Sequence, residues 1–330
     1  MTVRRHLSRP WIRAAIGVGI SATFVAVILR TIDLELMGDA WGTVEFGMVP
    51  LAALISFVEV GVRAARWRLL LRSLAPVGYT TVLGYLAIGH LANAILPARL
   101  GDVARGLLTG VRLRVARVSV LGTIAVERVS DAGLLGLAVT FGVLVGFRQF
   151  ASTMAMLAGA GAATVAVGVV VFVILRRESV AGTRPGAFIR HHGSRFWVGA
   201  TGFRHRRDPA LWATLTVVSF GLTVLIFFMV ATAVGLTIPI WQAALIIAAV
   251  TLSLAIPAGP ASIGTYEFVG MTVMSTMGFA PEPSLMAVGL LHAIATLTPA
   301  CIGAAALWLM GVRLDFRPDR TPFTTRSSVP

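Results

Sequence analysis

The sequence has no lysine, and all 28 of its basic residues are arginine. A codon preference of a GC-rich genome accounts for that absence, although arginine also suits bidentate contact with phosphate. A single cysteine, Cys301, excludes an intrachain disulfide, and no cysteine or histidine cluster has metal-ligand spacing. Also missing are a Walker loop, a Gly-x-Ser-x-Gly elbow and a His-Glu-x-x-His helix, which argues against ATP-driven or common hydrolytic chemistry within this chain. No metal and no cofactor are expected. Charge is scarce too, at 13% of residues, against roughly a quarter in a soluble domain.

What fills the space is apolar: 57% of the 330 residues are hydrophobic and the mean hydropathy is +0.86. A spanning helix needs about 20 mostly apolar residues, and several stretches supply them, from Ala14 to Leu29 through to Ser284 to Met310. The chain reads as an all-α polytopic protein integral to a cell membrane, bacterial by expectation. Arg4, Arg5, Arg9 and Arg13 ahead of the first run resemble a signal peptide's flank. No small-x-small cleavage site follows, so an uncleaved first span is expected. The net charge of +14 does not point to nucleic acid, because the arginines lie between apolar runs without stacking aromatics. Orientation and contact with anionic lipid explain them.

Placing the basic clusters in the cytoplasm orders the spans. The first runs outward to an acidic loop with Asp33, Glu35, Asp39 and Glu45, and the second, Gly47 to Val62, returns to Arg63, Arg66, Arg68 and Arg72. The next piece, Thr80 to Pro97, is interrupted by Gly84, Gly89, His90 and Asn93 and has arginines on both flanks, so it is expected as a re-entrant hairpin. Val118 to Phe147 goes outward, Ala151 to Leu175 returns, and a basic linker 176–208 leads to Ala210 to Leu236. Trp241 to Pro257 then breaks at Pro257, Gly259, Pro260 and Gly264, and a stretch too short to span, Phe268 to Phe279, climbs back as a second hairpin. Six transmembrane helices and two opposed hairpins result, with both termini cytoplasmic.

This order contains a repeat. Residues 1–148 hold two spans, a hairpin and a span, and 149–310 hold the same order from the opposite side, followed by a tail, 311–330, expected to be disordered. The hairpins share a phrase, Pro97-Ala-Arg-Leu-Gly101-Asp and Pro260-Ala-Ser-Ile-Gly264-Thr. Chance alone produces matches this short; with an odd number of spans per half, the pattern has the form of an inverted-topology repeat whose breaks flank a substrate site.

Polar residues concentrate at the same places. Glu59 and Arg63 are four apart and can pair, while Arg66 and Trp67 are expected at headgroup level, as anchors or as a phosphate clamp. Asn93, Arg99, Asp102 and Arg105 surround the backbone breaks Pro97 and Gly101, with an Asp102–Arg105 pair as the plainer reading. Intramembrane charge marks function by default, which singles out Glu127, Arg128 and Asp131. Arg128 is expected to pair locally with Asp131, leaving Glu127 to Arg99 or Arg105. In the second hairpin, Gly264, Thr265, Tyr266 and Glu267 open a half-helix. Glu267 either caps it or leaves its amides as a seat for phosphate. His292 is expected as a satisfied core histidine, with a proton relay as the minor alternative, and Gly133 and Gly136 as close-packing residues.

These pieces resemble the lysylphosphatidylglycerol synthase transmembrane-region family of flippase-like membrane proteins. The matching residues are Arg63-Ala-Ala-Arg66-Trp67-Arg68, then Asn93 to Pro97 with Arg99, Gly101 and Arg105, then Glu127-Arg128 with Asp131, then Pro257 through Gly264 to Glu267. The second hairpin departs from a more glycine-rich form, having Ala261-Ser262 before Ile263. The resemblance implies a protein that moves or binds an amphiphilic lipid, such as a phospholipid, glycolipid or polyprenyl-linked sugar, through its anionic headgroup or lipid phosphate. The chain stops soon after its last span, so an attached aminoacyl-transferase domain is not expected. Two alternatives stand beside transport: a membrane glycosyltransferase using polyprenyl-phosphate sugars, with Asp33 and Glu35 as its acidic pair, and a partner subunit of a separate synthase or transferase.

Overall fold

The computed structural model describes residues 10–42, 44–144, 205–254 and 258–311, with Phe196, Val198, Gly199, Gly202 and Phe203 between. Every regular element among them is helical. Pro257, the return run 151–175, nearly all of the linker 176–208 and the tail lie outside the described residues.

Helix α1 (Pro10–Thr31) turns at Asp33 into the short α2 (Leu34–Gly42). Asp33 Oδ1 accepts the amides of Glu35 (2.9 Å) and Leu36 (3.3 Å), the usual satisfaction of free donors at a helix start. Helix α3 (Met48–Leu71) follows, then α4 (Tyr79–Ile95), a 3-10 turn Pro97–Arg99, α5 (Leu100–Arg112) and α6 (Arg117–Leu144). After the undescribed stretch come α7 (Asp208–Ala233), α8 (Ile240–Ser253), a 3-10 turn Pro260–Ser262, α9 (Thr265–Thr276) and α10 (Pro281–Leu309). By length and composition, α3, α7 and α10 are able to cross a membrane, and Gly17–Thr31 of α1 and α8 are shorter apolar helices.

Two departures from the sequence expectation matter for the site. Helix α3 continues nine residues beyond Val62, to Leu71, so Arg63, Arg66 and Arg68 ride on the helix instead of trailing it. The helix runs through its charges because each has a partner: Glu59 one turn back for Arg63, Glu127 and Asp131 on the facing helix for Arg66, and the Val77 carbonyl for Arg68. The first hairpin also differs: Gly84, Gly89, His90 and Asn93 lie within unbroken α4, and its break is Leu96 to Arg99. The arginine-bearing flank after Arg99 is its return arm, α5. Gly89 and Gly101 permit the two arms to close, since a Cβ on Gly101 would lie 2.2 Å from the Gly89 carbonyl oxygen.

The most extensive contacts pair α4 with α10 and α3 with α7. Gly303 lets α10 approach α4 closely, its added Cβ falling 2.4 Å from the Ala87 carbonyl oxygen, the small-residue packing that membrane helices favour. Gly133 and Gly136 do not do this within the described structure, where a Cβ on either meets nothing within 4 Å. One apolar cluster centres on Phe227, Ile246, Met274 and Leu291 from α7 to α10, and a second on Trp67, Leu71, Val82 and Leu86 from α3 and α4. Between them lies a polar interior.

Candidate functional site

Arg66 and Trp67 are packed inside the protein, 3% and 0% exposed. The Trp67 indole N–H donates to Thr123 Oγ1 at 3.0 Å. Arg66 places its fork on Asp131, at 2.6 and 3.2 Å to the two oxygens, and reaches Glu127 Oε1 at 3.4 Å. The other oxygen of Glu127 accepts from Arg105 at 2.9 Å, and the Arg105 guanidinium lies 4.6 Å over the Trp67 ring. Arg105 also approaches Asp102 at 3.4 Å. Glu59 accepts from Arg63 and, at 2.7 Å, from Ser219 on α7.

The expected Arg128–Asp131 pair does not form. Arg128 donates instead to both oxygens of Asp102 on α5, at 2.7 and 2.8 Å, while Asp131 is taken by Arg66. Buried charges are expensive unless several partners converge on them, and facing helices offer forked contacts that one helix turn does not. Glu127 finds Arg105, one of its two expected partners. Arg99 has no hydrogen bond or ion pair among the described residues, although it lines the cavity beside Asp102 and Arg128. In all, five arginines (63, 66, 99, 105, 128) face four carboxylates (59, 102, 127, 131), an excess of one positive charge.

The two breaks meet on the other side of this network. Arg99, two residues after Pro97, has φ 55°, and Ser262, two residues after Pro260, has φ 63°. Non-glycine residues seldom adopt this left-handed region; the second turn adds Ala261 at φ 53°, which has no counterpart in the first, and the two turns pack against each other. Gly264, at φ 85°, caps α9; a Cβ there would also meet the Ser21 carbonyl oxygen of α1 at 2.7 Å. Its N–H donates to Glu267 Oε2 at 2.7 Å. Glu267 thus fills the helix start, and capping is the role it takes in place of an open phosphate seat. Its other oxygen contacts His292 Nδ1 on α10, whose Nε2 lies 2.9 Å from the Ala261 carbonyl oxygen. The Tyr266 ring stacks on the imidazole with centroids 4.4 Å apart.

A cavity of about 700 Å³ joins the two sides. Arg63, Arg66, Asn93, Arg99, Asp102, Arg128 and Asp131 line one wall and Gly259, Ser262, Tyr266 and His292 the other, over apolar ground from Leu135, Phe220 and Ile247. Its size falls in the range of small-molecule sites.

The sequence profile of the lysylphosphatidylglycerol synthase TM region matches residues 14–303. The chain belongs to that family. It is also similar to Glycosyltransferase AglD of Haloferax volcanii, with 33% identity over 160 residues. That match covers 44% of this chain and 23% of the relative. No solved structure gives a significant match.

In this member of the synthase transmembrane-region family, most of the polar residues marked in the sequence converge on the cavity. Arg105 and Glu127 stand behind its wall as support, and Pro97 and Gly101 shape the break. His292 was not among the candidate binding residues. Its one sequence signal was a lone histidine in an apolar helix with no local partner. Serines and threonines of α7, Thr216 and Ser219, were missed as well, since nothing in a 26-residue apolar helix distinguishes them from packing hydroxyls.

Proposed function

We propose that the chain binds the phosphate-bearing headgroup of an amphiphilic lipid in this cavity and passes it between leaflets, its acyl or prenyl chains staying in the bilayer. The observation that carries the reading is Arg99: a guanidinium without a partner among the described residues, set between two helix breaks, on the wall of a cavity with one excess positive charge. A half-buried cation that faces a cavity and has no carboxylate within hydrogen-bonding distance is suited to a phosphate, to which arginine offers a forked contact. The layout we propose is six spans with basic clusters on the cytoplasmic side and two opposed hairpins, and the shared geometry of the Pro97 and Pro260 turns supports an inverted repeat.

The glycosyltransferase reading draws support from the relative's name. Its acidic pair is less suitable: Asp33 is engaged as the cap of α2, and its amide meets Glu282 at 3.3 Å.

Reconstitution in liposomes with fluorescent phosphatidylglycerol, and with a fluorescent polyprenyl phosphate, tests transport. Leaflet exchange above that of protein-free vesicles is expected for at least one probe. Arg99→Gln should slow it about tenfold, the effect of losing one charge-assisted hydrogen bond, with unchanged thermal unfolding. Exchange equal to empty vesicles for both probes would end the transport reading.

A further inference from the structure

The His292 ring stands between two acceptors. Nδ1 faces Glu267 Oε1 and Nε2 faces the Ala261 carbonyl oxygen at 2.9 Å. A neutral imidazole has one N–H and one lone pair, so it satisfies one of these contacts and opposes a lone pair to the other. Both are satisfied when the ring carries two protons. Glu267 is held as the carboxylate partner, because its second oxygen accepts the Gly264 amide at the start of α9. The Tyr266 face stacked on the ring favours a cation there. The arrangement therefore has a place for one proton more than a neutral histidine beside a carboxylate holds.

That proton also has a structural consequence. It joins α10 to α9 through Glu267 and to the second break through Ala261, a residue with φ 53° inside the Pro260–Ser262 turn. This turn packs directly on the Pro97–Arg99 turn. Removing one proton from the ring leaves either the carboxylate or the strained turn facing a lone pair, and the second break, which packs on the first, loses its hold on α10 or α10 its hold on α9.

The surrounding groups define what else acts on this proton. On the shared cavity wall are Glu59, Arg63 and Arg66 from α3, His90 from α4, Arg99 from the first break, Asp102 from α5, Arg128 and Asp131 from α6 and Tyr266 from α9. Helix α8 brings no titratable group, while Arg30 of α1, Glu35 of α2, Asp208 of α7 and Glu282 of α10 are in terminal turns. Arg63 is already paired with Glu59. An anion entering beside Arg99 adds negative charge to the same cavity and favours the protonated ring.

We propose that the Glu267–His292 pair, tied to the second break through the Ala261 carbonyl, is a proton-binding site whose occupancy holds the two breaks together and couples headgroup passage to a proton. The proposal rests on the transport reading only in its final clause, and its tests separate the two.

Two measurements use the full-length protein in phosphatidylglycerol-containing vesicles. In the first, ¹⁵N NMR of labelled histidine, assigned by subtraction with His292→Gln, should show both ring nitrogens of His292 protonated near neutral pH and one proton lost in Glu267→Gln. A neutral single tautomer in both proteins overturns the proton site. In the second, spin labels at Ile95→Cys and Ile263→Cys, in a Cys301→Ser background, report the separation of the breaks between about pH 5 and pH 9, across the usual histidine range. A close population at low pH that broadens at high pH is expected, with the broad form present throughout in His292→Gln. The same distances at both ends of the range, or a wild-type response in His292→Gln, overturn the tie. If both responses are found and lipid exchange shows no dependence on a pH gradient, coupling is overturned. If no exchange occurs at all, the transport reading fails and coupling with it, while the proton-controlled contact stands.

Discussion

At the scale of single residues, the arginines of the cavity divide by what removing their partners would do. Glu127 is 3% exposed and accepts from Arg105 on one oxygen and from Arg66 on the other. Neutralising it leaves two buried guanidiniums with less charge to face, and breaking a buried pair from one side costs about 3–5 kcal/mol. Glu127→Gln should therefore lower the thermal unfolding midpoint in detergent substantially. Arg63 has a side chain 30% exposed and a partner, Glu59, that keeps its bond from Ser219. Arg63→Gln leaves Glu59, whose side chain is 8% exposed, with the Ser219 hydroxyl as its remaining donor, and should cost less than Glu127→Gln, about 1–3 kcal/mol. Equal losses in the two variants would show that the network is not a supporting frame behind the cavity.

At the scale of elements, the first hairpin depends on α4 and α5 closing at two glycines. Gly101→Val puts a branched side chain where even a Cβ has 2.2 Å to the Gly89 carbonyl oxygen and 2.5 Å to the Asn93 amide nitrogen. Overpacking of this kind costs about 1–3 kcal/mol or more, and it should lower headgroup binding as well as the unfolding midpoint, since Asn93 and Arg99 sit on either side of the junction. Binding unaffected in a folded Gly101→Val protein would separate the site from the hairpin. The break itself was legible in the sequence because proline and glycine constrain the backbone locally. Helix α5 was not. Arg105 and Asp102 turn toward the protein interior while Arg112 stays exposed, so the arginine-rich flank of the hairpin is an amphipathic helix with part of its charge inward. Partner choice was equally hidden. Arg128 and Asp131 are neighbours on α6 whatever the fold, but their pairing with Asp102 and Arg66 depends on how α3, α5 and α6 cross, and helical spacing carries no information about that. Glu127 with Arg105 was legible as one of two options, because a buried carboxylate needs a cation and few were at hand.

At the scale of the whole molecule, helix length limits how the chain sits in a bilayer. At about 1.5 Å per residue, the 17 residues of α4 rise ~26 Å and the 13 of α5 ~20 Å. The 14 of α8 and 12 of α9 rise ~21 and ~18 Å. A hydrocarbon core is about 30 Å thick, so each pair is better suited to entering and turning back than to crossing twice. The breaks at the ends of these short arms pack on each other, which is the contact that the proposed entry from opposite faces would produce. This arrangement is open to a direct test. In a Cys301→Ser background, Tyr79→Cys and Arg114→Cys mark the two ends of the first hairpin, and Ile240→Cys and Thr276→Cys those of the second. An impermeant maleimide added to intact cells should label the second pair and reach the first pair only after permeabilisation. Labelling of Tyr79→Cys and Arg114→Cys from different sides would mean that the first hairpin spans, and the inverted repeat would fall with it. Agreement within each pair but the same side for both would instead make both hairpins enter from one surface, and the proposal of opposed hairpins would fall.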